Sequence, residues 1–257
     1  MSPSPLIIGH RGASRFAPEN TLAAFRLALA VGADGVEFDV RLTRDGVPII
    51  IHDDNLKRTG VTPSRVADLS VAELQEIDVG TWFRIEGFAT ERVPTLEQLF
   101  ELFSPTDSLL YLEMKSEPSE RDRLAQACVE KINTISLKER IIVECFDLSA
   151  LATVKSLDPS IRTAALFEPG LTTLPLITPG QRLVDQALAV GAEEIALHHR
   201  LATDRVVGTA KNSGLAVVVW TVDDPAWIRR ALSSGVTALI TNDPSTMVSQ
   251  REQQASD

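Results

Sequence analysis

Two cysteines in 257 residues are too few for a disulfide framework, so an apolar core has to hold the fold. Cys128 and Cys145 are distant in sequence and read as two reduced thiols, with a single bridge as the alternative. Cations are in deficit: 25 Lys and Arg stand against 35 Asp and Glu, a net charge of −10. That balance argues against nucleic acid or an anionic membrane as the main partner, because both call for a positive surface field. No apolar run approaches the roughly 18 residues of a membrane span. Met1 to Pro5 is too short and too poor in cations for a signal peptide. These absences predict a cytoplasmic protein without stable membrane association, and they set no oligomeric state. Only 14 prolines, with 44% hydrophobic and 23% charged residues, describe a globular chain and not a disordered one.

What is present is an alternation. Nine short runs rich in Val, Ile and Leu recur between longer amphipathic stretches. The runs are Leu6 to His10, Gly35 to Val40, Val47 to His52, Leu109 to Lys115, Ile141 to Phe146, Arg162 to Phe167, Glu194 to His198, Leu215 to Trp220 and Ala238 to Thr241. Helical patterns fill gaps at Thr21 to Val31, Ser119 to Ile135, Leu148 to Ser156, Gln181 to Val190, Asp204 to Ser213 and Asp224 to Ser234. Strand and helix in alternation predict a parallel sheet with crossover helices. The second and third runs are joined by six residues, whereas a parallel crossover takes a dozen or more, so this pair must be an antiparallel hairpin. Setting aside its returning arm leaves eight strands, the number of a (β/α)8 TIM barrel built as one domain over 1–257. Residues 53–93 hold no strong strand but include Gly60, Pro63, Gly80 and Gly87, and predict a small inserted cap after His52. The polar end, Arg251 to Asp257, is expected to fray.

The hairpin GVEFDVRLTRDGVPIIIHDD carries Glu37, Asp39 and His52 among residues suited to burial. Asp45-Gly46 is a strong signal for a two-residue type I′ turn. With that turn Arg44 pairs with Val47 and His52 lies opposite Asp39, with Glu37 two residues along on the same face. A three-residue loop with a bulge shifts this register. Glu37 and Asp39 are alternatively solvent-facing residues of a half-exposed strand, with His52 at its edge. Two carboxylates and an imidazole on one face favour a site, since buried charges are paired or bind metal.

The first run ends in Gly9-His10-Arg11-Gly12, and residues at the carboxyl ends of barrel strands form the active face. Arg11 there suits bidentate contact with phosphate. The fourth run ends with Glu113 and Lys115 at a period of two, pointing the same way; a purely structural ion pair is the alternative. Glu37, Asp39 and Glu113 supply hard oxygens suited to Mg²⁺ or Ca²⁺, while the lack of Cys or clustered His ligands argues against zinc. A divalent cation with Arg11 and Lys115 makes a clamp for phosphate, and His10 and His52 can divide general base and general acid work. The combination predicts hydrolytic or cyclising transfer at a phosphodiester.

The chain resembles the glycerophosphodiester phosphodiesterase family. The resemblance lies in HRGASRFAPENTLAAF from His10, GADGVEFDVRLTRDGVPIIIHDDNLKRTG from Gly32, VPTLEQLFEL from Val93, LYLEMK from Leu110, VVVWTVDDP from Val217 and ALITNDP from Ala238. It implies a TIM barrel that splits glycerophosphodiesters, small-molecule substrates, into sn-glycerol 3-phosphate and an alcohol. It further implies catalytic histidines at His10 and His52, metal carboxylates at Glu37, Asp39 and Glu113, and phosphate-binding cations at Arg11 and Lys115. In the mechanism it implies, one histidine deprotonates the glycerol 2-hydroxyl, which attacks phosphorus, and the other protonates the leaving alcohol; His10 is favoured as base and His52 as acid.

Other positions are read beside these. Asn20 is expected to cap the helix beginning at Thr21, and Glu19 to pair with Arg11 or accept main-chain N–H groups. Trp220 is expected to wall the glycerol carbons, with core packing as the alternative. Trp82 and Phe83 either close over the alcohol group or pack within the cap. Cys145 stands where the resembled family more often has serine, which places a substrate contact there in doubt. His198 and His199 read as exposed loop histidines, with a reach into the pocket as the alternative. Two rival functions are a lysophospholipase D-like phosphodiesterase and a non-catalytic phosphate-ligand sensor. The acidic chain lacks a lipid anchor for the first, and retention of both histidines and all three carboxylates opposes the second.

Overall fold

A computed structural model describes residues 4–115, 117–170 and 179–256. Met1 to Pro3 and Asp257, the ends of the two terminal expectations, lie outside the described residues. Among the described residues nine strands form in the places the apolar runs predict: β1 Leu6–His10, β2 Gly35–Leu42, β3 Pro48–Ile50, β4 Leu109–Met114, β5 Ile141–Cys145, β6 Arg162–Phe167, β7 Glu194–His198, β8 Ala216–Trp220 and β9 Ala238–Thr241. The sheet runs β1-β9-β8-β7-β6-β5-β4-β2-β3, and β1 also pairs in parallel with β2. Eight parallel strands therefore close into a barrel, and β3 is the extra antiparallel strand.

Helices connect the strands: α1 Leu22–Ala30, α2 Val71–Gln75, α3 Leu96–Phe103, α4 Arg121–Asn133, α5 Leu148–Leu157, α6 Pro179–Ala189, α7 Asp204–Asn212, α8 Ala226–Ser234 and α9 Pro244–Ser256. Alternate strand residues split the apolar core in two. Ile8, Tyr111, Ile142, Ala164, Val218 and Ile240 pack inside the barrel, whereas Phe38, Leu112, Val143, Leu197 and Val219 pack against the helix layer. No helix among the described residues is long and apolar enough to cross a membrane.

The cap has a core of its own, in which Ile49 and Ile51 meet Leu56, Val66, Leu74, Val79 and Val93. The end of the chain corrects an expectation: α9 continues through Arg251, whose guanidinium pairs with Asp34, so this end is helical and tied to the barrel.

The hairpin register is also corrected. Gly46 N donates to Thr43 O at 3.0 Å and Thr43 N to Val47 O at 3.1 Å, which closes a three-residue loop. Gly46 alone of that loop takes a positive φ, 79°, as a bulge requires, whereas a type I′ turn needs Asp45 there too. Asp45 instead accepts from Thr43 Oγ1 at 2.6 Å. The pairs become Val40 with Ile50 and Leu42 with Pro48, and Ile51 N donates to Asp39 O at 2.9 Å. His52 does not pair with Asp39. It lies just beyond β3, where the returning chain reaches the level of the barrel rim.

Candidate active site

Strand register assembles the acidic face. His10 is the partner of Glu37 across β1 and β2, Asp39 the partner of Glu113 across β2 and β4, and Glu113 the partner of Glu144 across β4 and β5. All four carboxylates are buried. Burial raises Glu37 well above the usual carboxylate range, and the charges of Asp39 and Glu113 add to it. Burial, then the charge of Asp39, pushes Glu113 up to about 7. Glu144 is likewise raised well above the usual range by burial and by Glu37 and Glu113. Ligand atoms from Glu37, Glu113 and Glu144 lie within 4.8 Å of one another. Asp39 behaves differently. Burial would raise it, but Arg11 and Lys115 outweigh burial and hold its carboxyl well below the usual range.

The turn after β1 explains the hold on Asp39. Arg11 takes a φ of 54° and Gly12 one of 82°, and a side chain on Gly12 would meet the Ala24 backbone at 2.6 Å. This tight turn aims Arg11 N at Glu37 Oε2 (3.0 Å), its Nη1 at Glu19 Oε1 (2.8 Å) and its Nε at Asp39 Oδ2 (3.1 Å). Asn20 follows the same turn. It is not the cap: Thr21 caps α1 by accepting from Ala24 N. Asn20 sits at φ 58° and clamps Asp39, with Nδ2 donating to Oδ2 at 2.7 Å and Oδ1 accepting from Asp39 N at 3.3 Å. Lys115, just beyond β4, places Nζ 2.6 Å from Glu113 Oε1 and 3.4 Å from Asp39 Oδ1.

Both histidines are oriented by acceptors. Asn242 Nδ2 donates to Asp223 Oδ2 at 2.8 Å, and since that carboxylate only accepts, the amide oxygen must face His10. His10 Nδ1–H then donates to Asn242 Oδ1 at 2.7 Å, and Nε2 keeps its lone pair, 3.8 Å from Glu37 Oε2. Burial, aided by the Arg11 charge, pushes His10 down to about 4, so the ring is neutral near pH 7. His52 Nδ1 lies 2.7 Å from Asp53 Oδ1 and so carries the proton there. Burial lowers His52 as well, against the pull of Asp39 and Asp53. Asp53 also binds Arg58, which binds Glu19, which binds Arg11, so one ionic chain links the cap to the barrel rim.

A cleft of about 440 Å³ collects His10, Arg11, Glu37, His52, Glu113, Lys115 and Glu144 with Phe146, Leu166, Glu168, Trp220 and Ile240. Trp220 forms an apolar wall edge-to-face with Phe146, their ring centres 5.5 Å apart, while its Nε1 donates to Ala196 O at 3.2 Å. Asp39 lies beneath, shielded by its cations.

Several secondary expectations are resolved. Cys145 turns away from the cleft and donates to Met114 O, so its sulfur does not face the substrate space, and both cysteines are free thiols. His198 and His199 are half-buried beside Trp220, not exposed, and the His198 ring lies 5.2 Å from Trp220. Trp82 and Phe83 pack edge-to-face in the cap with Phe88, and Arg58 lies over Trp82. Sequence reasoning missed Glu144, Asn242 and Asp53. Glu144 shares the barrel-facing parity of Ile142, and that signal was legible in β5.

Residues 10–246 match the family described as the Glycerophosphoryl diester phosphodiesterase family. A glycerophosphodiester phosphodiesterase of Caldanaerobacter subterraneus subsp. tengcongensis is 35% identical over 246 residues, 95% of this chain and 96% of that protein. A phosphodiesterase of Oleispira antarctica, solved in complex with the product sn-glycerol-3-phosphate, superposes with a TM-score of 0.85 at 28% identity, covering 97% of each chain. A glycerophosphodiester phosphodiesterase from Agrobacterium tumefaciens gives a TM-score of 0.78 at 26% identity, covering 95% of this chain and 99% of that one.

Proposed function

Because the chain belongs to the glycerophosphoryl diester phosphodiesterase family and is an enzyme of that activity, we propose that it splits glycerophosphodiesters into sn-glycerol 3-phosphate and an alcohol, with His10 as base and His52 as acid. Glu37, Asp39 and Glu113 hold a divalent cation, Mg²⁺ or Ca²⁺, in this reading. The product bound by the Oleispira relative supports the substrate class. The observation that carries the reading is the meeting of two oriented histidines, buried carboxylates and the cations Arg11 and Lys115 on one cleft.

The residues fit a cation. Glu37 Oε1 and Glu144 Oε2 are buried without hydrogen-bond partners among the described residues, and Glu113 Oε1 meets the Lys115 ammonium. Carboxylate oxygens without thiolate or imidazole suit a hard ion. When bound, the cation supplies charge neutralisation at the phosphate oxygens.

His10 Nε2 is the free base, because Asn242 fixes the proton on Nδ1. It takes the proton of the glycerol 2-hydroxyl as that oxygen attacks phosphorus. His52 protonates the leaving alcohol oxygen; its imidazolium is supported by the Asp53 carboxylate, a support the neutral Asn242 cannot give His10. The cyclic phosphate then opens by attack of water with the two roles reversed, giving sn-glycerol 3-phosphate. Lys115 and Arg11 face the phosphate oxygens, and Trp220 excludes water from the glycerol carbons.

The test follows glycerol 3-phosphate release from glycerophosphocholine beside a lysophospholipid. Turnover of the former is expected, and preference for the lipid reverses the substrate assignment. His10→Ala and His52→Ala should each abolish turnover at unchanged thermal stability; near-normal activity in either removes its acid or base role. Chelation should abolish activity and Mg²⁺ or Ca²⁺ restore it, and full activity in the stripped enzyme defeats the carboxylate site.

A further inference from the structure

One buried carboxylate on the cleft has no task in this mechanism. Glu144, on β5, is 1% exposed, and its Oε2 has no hydrogen-bond partner among the described residues. The protein's own cations are committed elsewhere. Lys115 contacts Glu113 and Asp39, and Arg11 contacts Asp39 and Glu19. A buried carboxylate persists when it is paired or coordinates a metal. Glu144 nevertheless points at two more carboxylates, its ligand oxygen within 4.8 Å of those of Glu37 and Glu113.

Charge and distance agree on what completes the group. Ionised together, the four buried carboxylates Glu37, Asp39, Glu113 and Glu144 outnumber the cations Arg11 and Lys115, and Arg11 is shared with Glu19 as well, so a divalent ion supplies positive charge that these two side chains do not. Ca²⁺ binds oxygens at about 2.3–2.6 Å, so ligands as far as about 5 Å apart can share it. We propose that Glu144 is a fourth carboxylate ligand of the cation, standing on the β5 side of the site opposite Asp39, and that it biases the site toward Ca²⁺. The bias follows from ligand number: Ca²⁺ takes about six to eight oxygens in flexible geometry, whereas Mg²⁺ is held by one or two carboxylates and keeps its waters. This inference rests on the cation site proposed above and extends it by one residue that the family resemblance does not supply.

Isothermal titration of chelator-stripped protein with CaCl₂ and with MgCl₂ tests it without reference to turnover. Wild type should bind one Ca²⁺ more tightly than Mg²⁺. Glu144→Gln, neutral and of the same shape, should weaken Ca²⁺ about tenfold or more and Mg²⁺ by less, so that the preference narrows. Glu144→Asp, which keeps the charge, should retain part of the Ca²⁺ affinity, and a Ca²⁺-induced rise in Tm should follow the same order. Wild-type Ca²⁺ affinity in Glu144→Gln overturns the role of Glu144 while leaving the cation site standing. Absence of divalent binding in wild type overturns the site itself.

Discussion

Replacing Asn20 by Asp separates two accounts of this residue that differ in sign. As a helix cap, aspartate serves as well as asparagine, and its charge near the start of α1 adds about 0.3–1 kcal/mol of stability. The clamp seen here predicts the reverse. Asn20 Nδ2 donates to Asp39 Oδ2 at 2.7 Å in a site where Asp39 is fully buried. The substitution puts an oxygen where the donor was, and two carboxylates in such contact cannot both ionise. Asp39 stays charged because Arg11 and Lys115 hold it, so the introduced carboxyl must keep its proton. Against an unfolded aspartate value of about 3.9, that costs about 4 kcal/mol at pH 7. The protonated carboxyl keeps the hydrogen bond that Asn20 makes in wild type, so that bond cancels and the net loss stays at about 4 kcal/mol. The pH dependence has a definite direction. The introduced group's folded pKa is raised above its unfolded one, so the folded variant binds more protons, and its stability falls by about 1.4 kcal/mol per pH unit above about pH 4. Urea unfolding of chelator-treated protein between pH 4.5 and 7.5, followed by circular dichroism, reads both quantities. A variant as stable as wild type at pH 7, or a deficit that does not shrink on acidification, refutes the clamp.

Two further outcomes need no catalytic assay. Burial pushes both the Cys128 and the Cys145 thiols up to about 12, so neither should react with a disulfide reagent at pH 8 in the native protein, and both should react after unfolding; one thiol titrating natively contradicts their burial. Gly46→Ala should lower stability by about 1 kcal/mol and Tm by about 2–4 °C, because φ is 79° but nothing lies within 4 Å of an added Cβ; an unchanged Tm contradicts the bulged loop.

The strands were legible because each carries its own signal. Runs such as Ile141 to Phe146 and Glu194 to His198 are short, apolar and bounded by helical patterns, and they became strands within a residue or two of the expected ends. Helices α3 and α9 were not read from periodicity. For α3 the signal existed, a capping box in which Thr95 and Gln98 satisfy each other's main-chain N–H groups, but it follows directly on a segment read as irregular. For α9 the polar sequence after Ser249 disguised a helix held through buried Met247 and the distant partner Asp34. No local pattern announces a contact with a residue so far away in the chain.

The site divides along the same line. That Glu37, Asp39 and Glu113 face the barrel follows from a period of two, and so does Glu144 once Ile142 is placed inside. What each carboxylate does depends on partners that parity cannot name. Asp39 and Glu144 flank Glu113 in one register row, both of them buried carboxylates. The left-handed turn at Arg11 delivers Arg11 and Asn20 to Asp39, and the chain past β4 delivers Lys115, while among the described residues no turn brings a donor to Glu144 Oε2. Asp39 is thereby an anchor for Arg11 and Lys115, whereas Glu144 keeps an oxygen without a hydrogen-bond partner among the described residues. Two carboxylates two strands apart acquire different partners from the loops above them, which is why strands are readable from sequence before roles are.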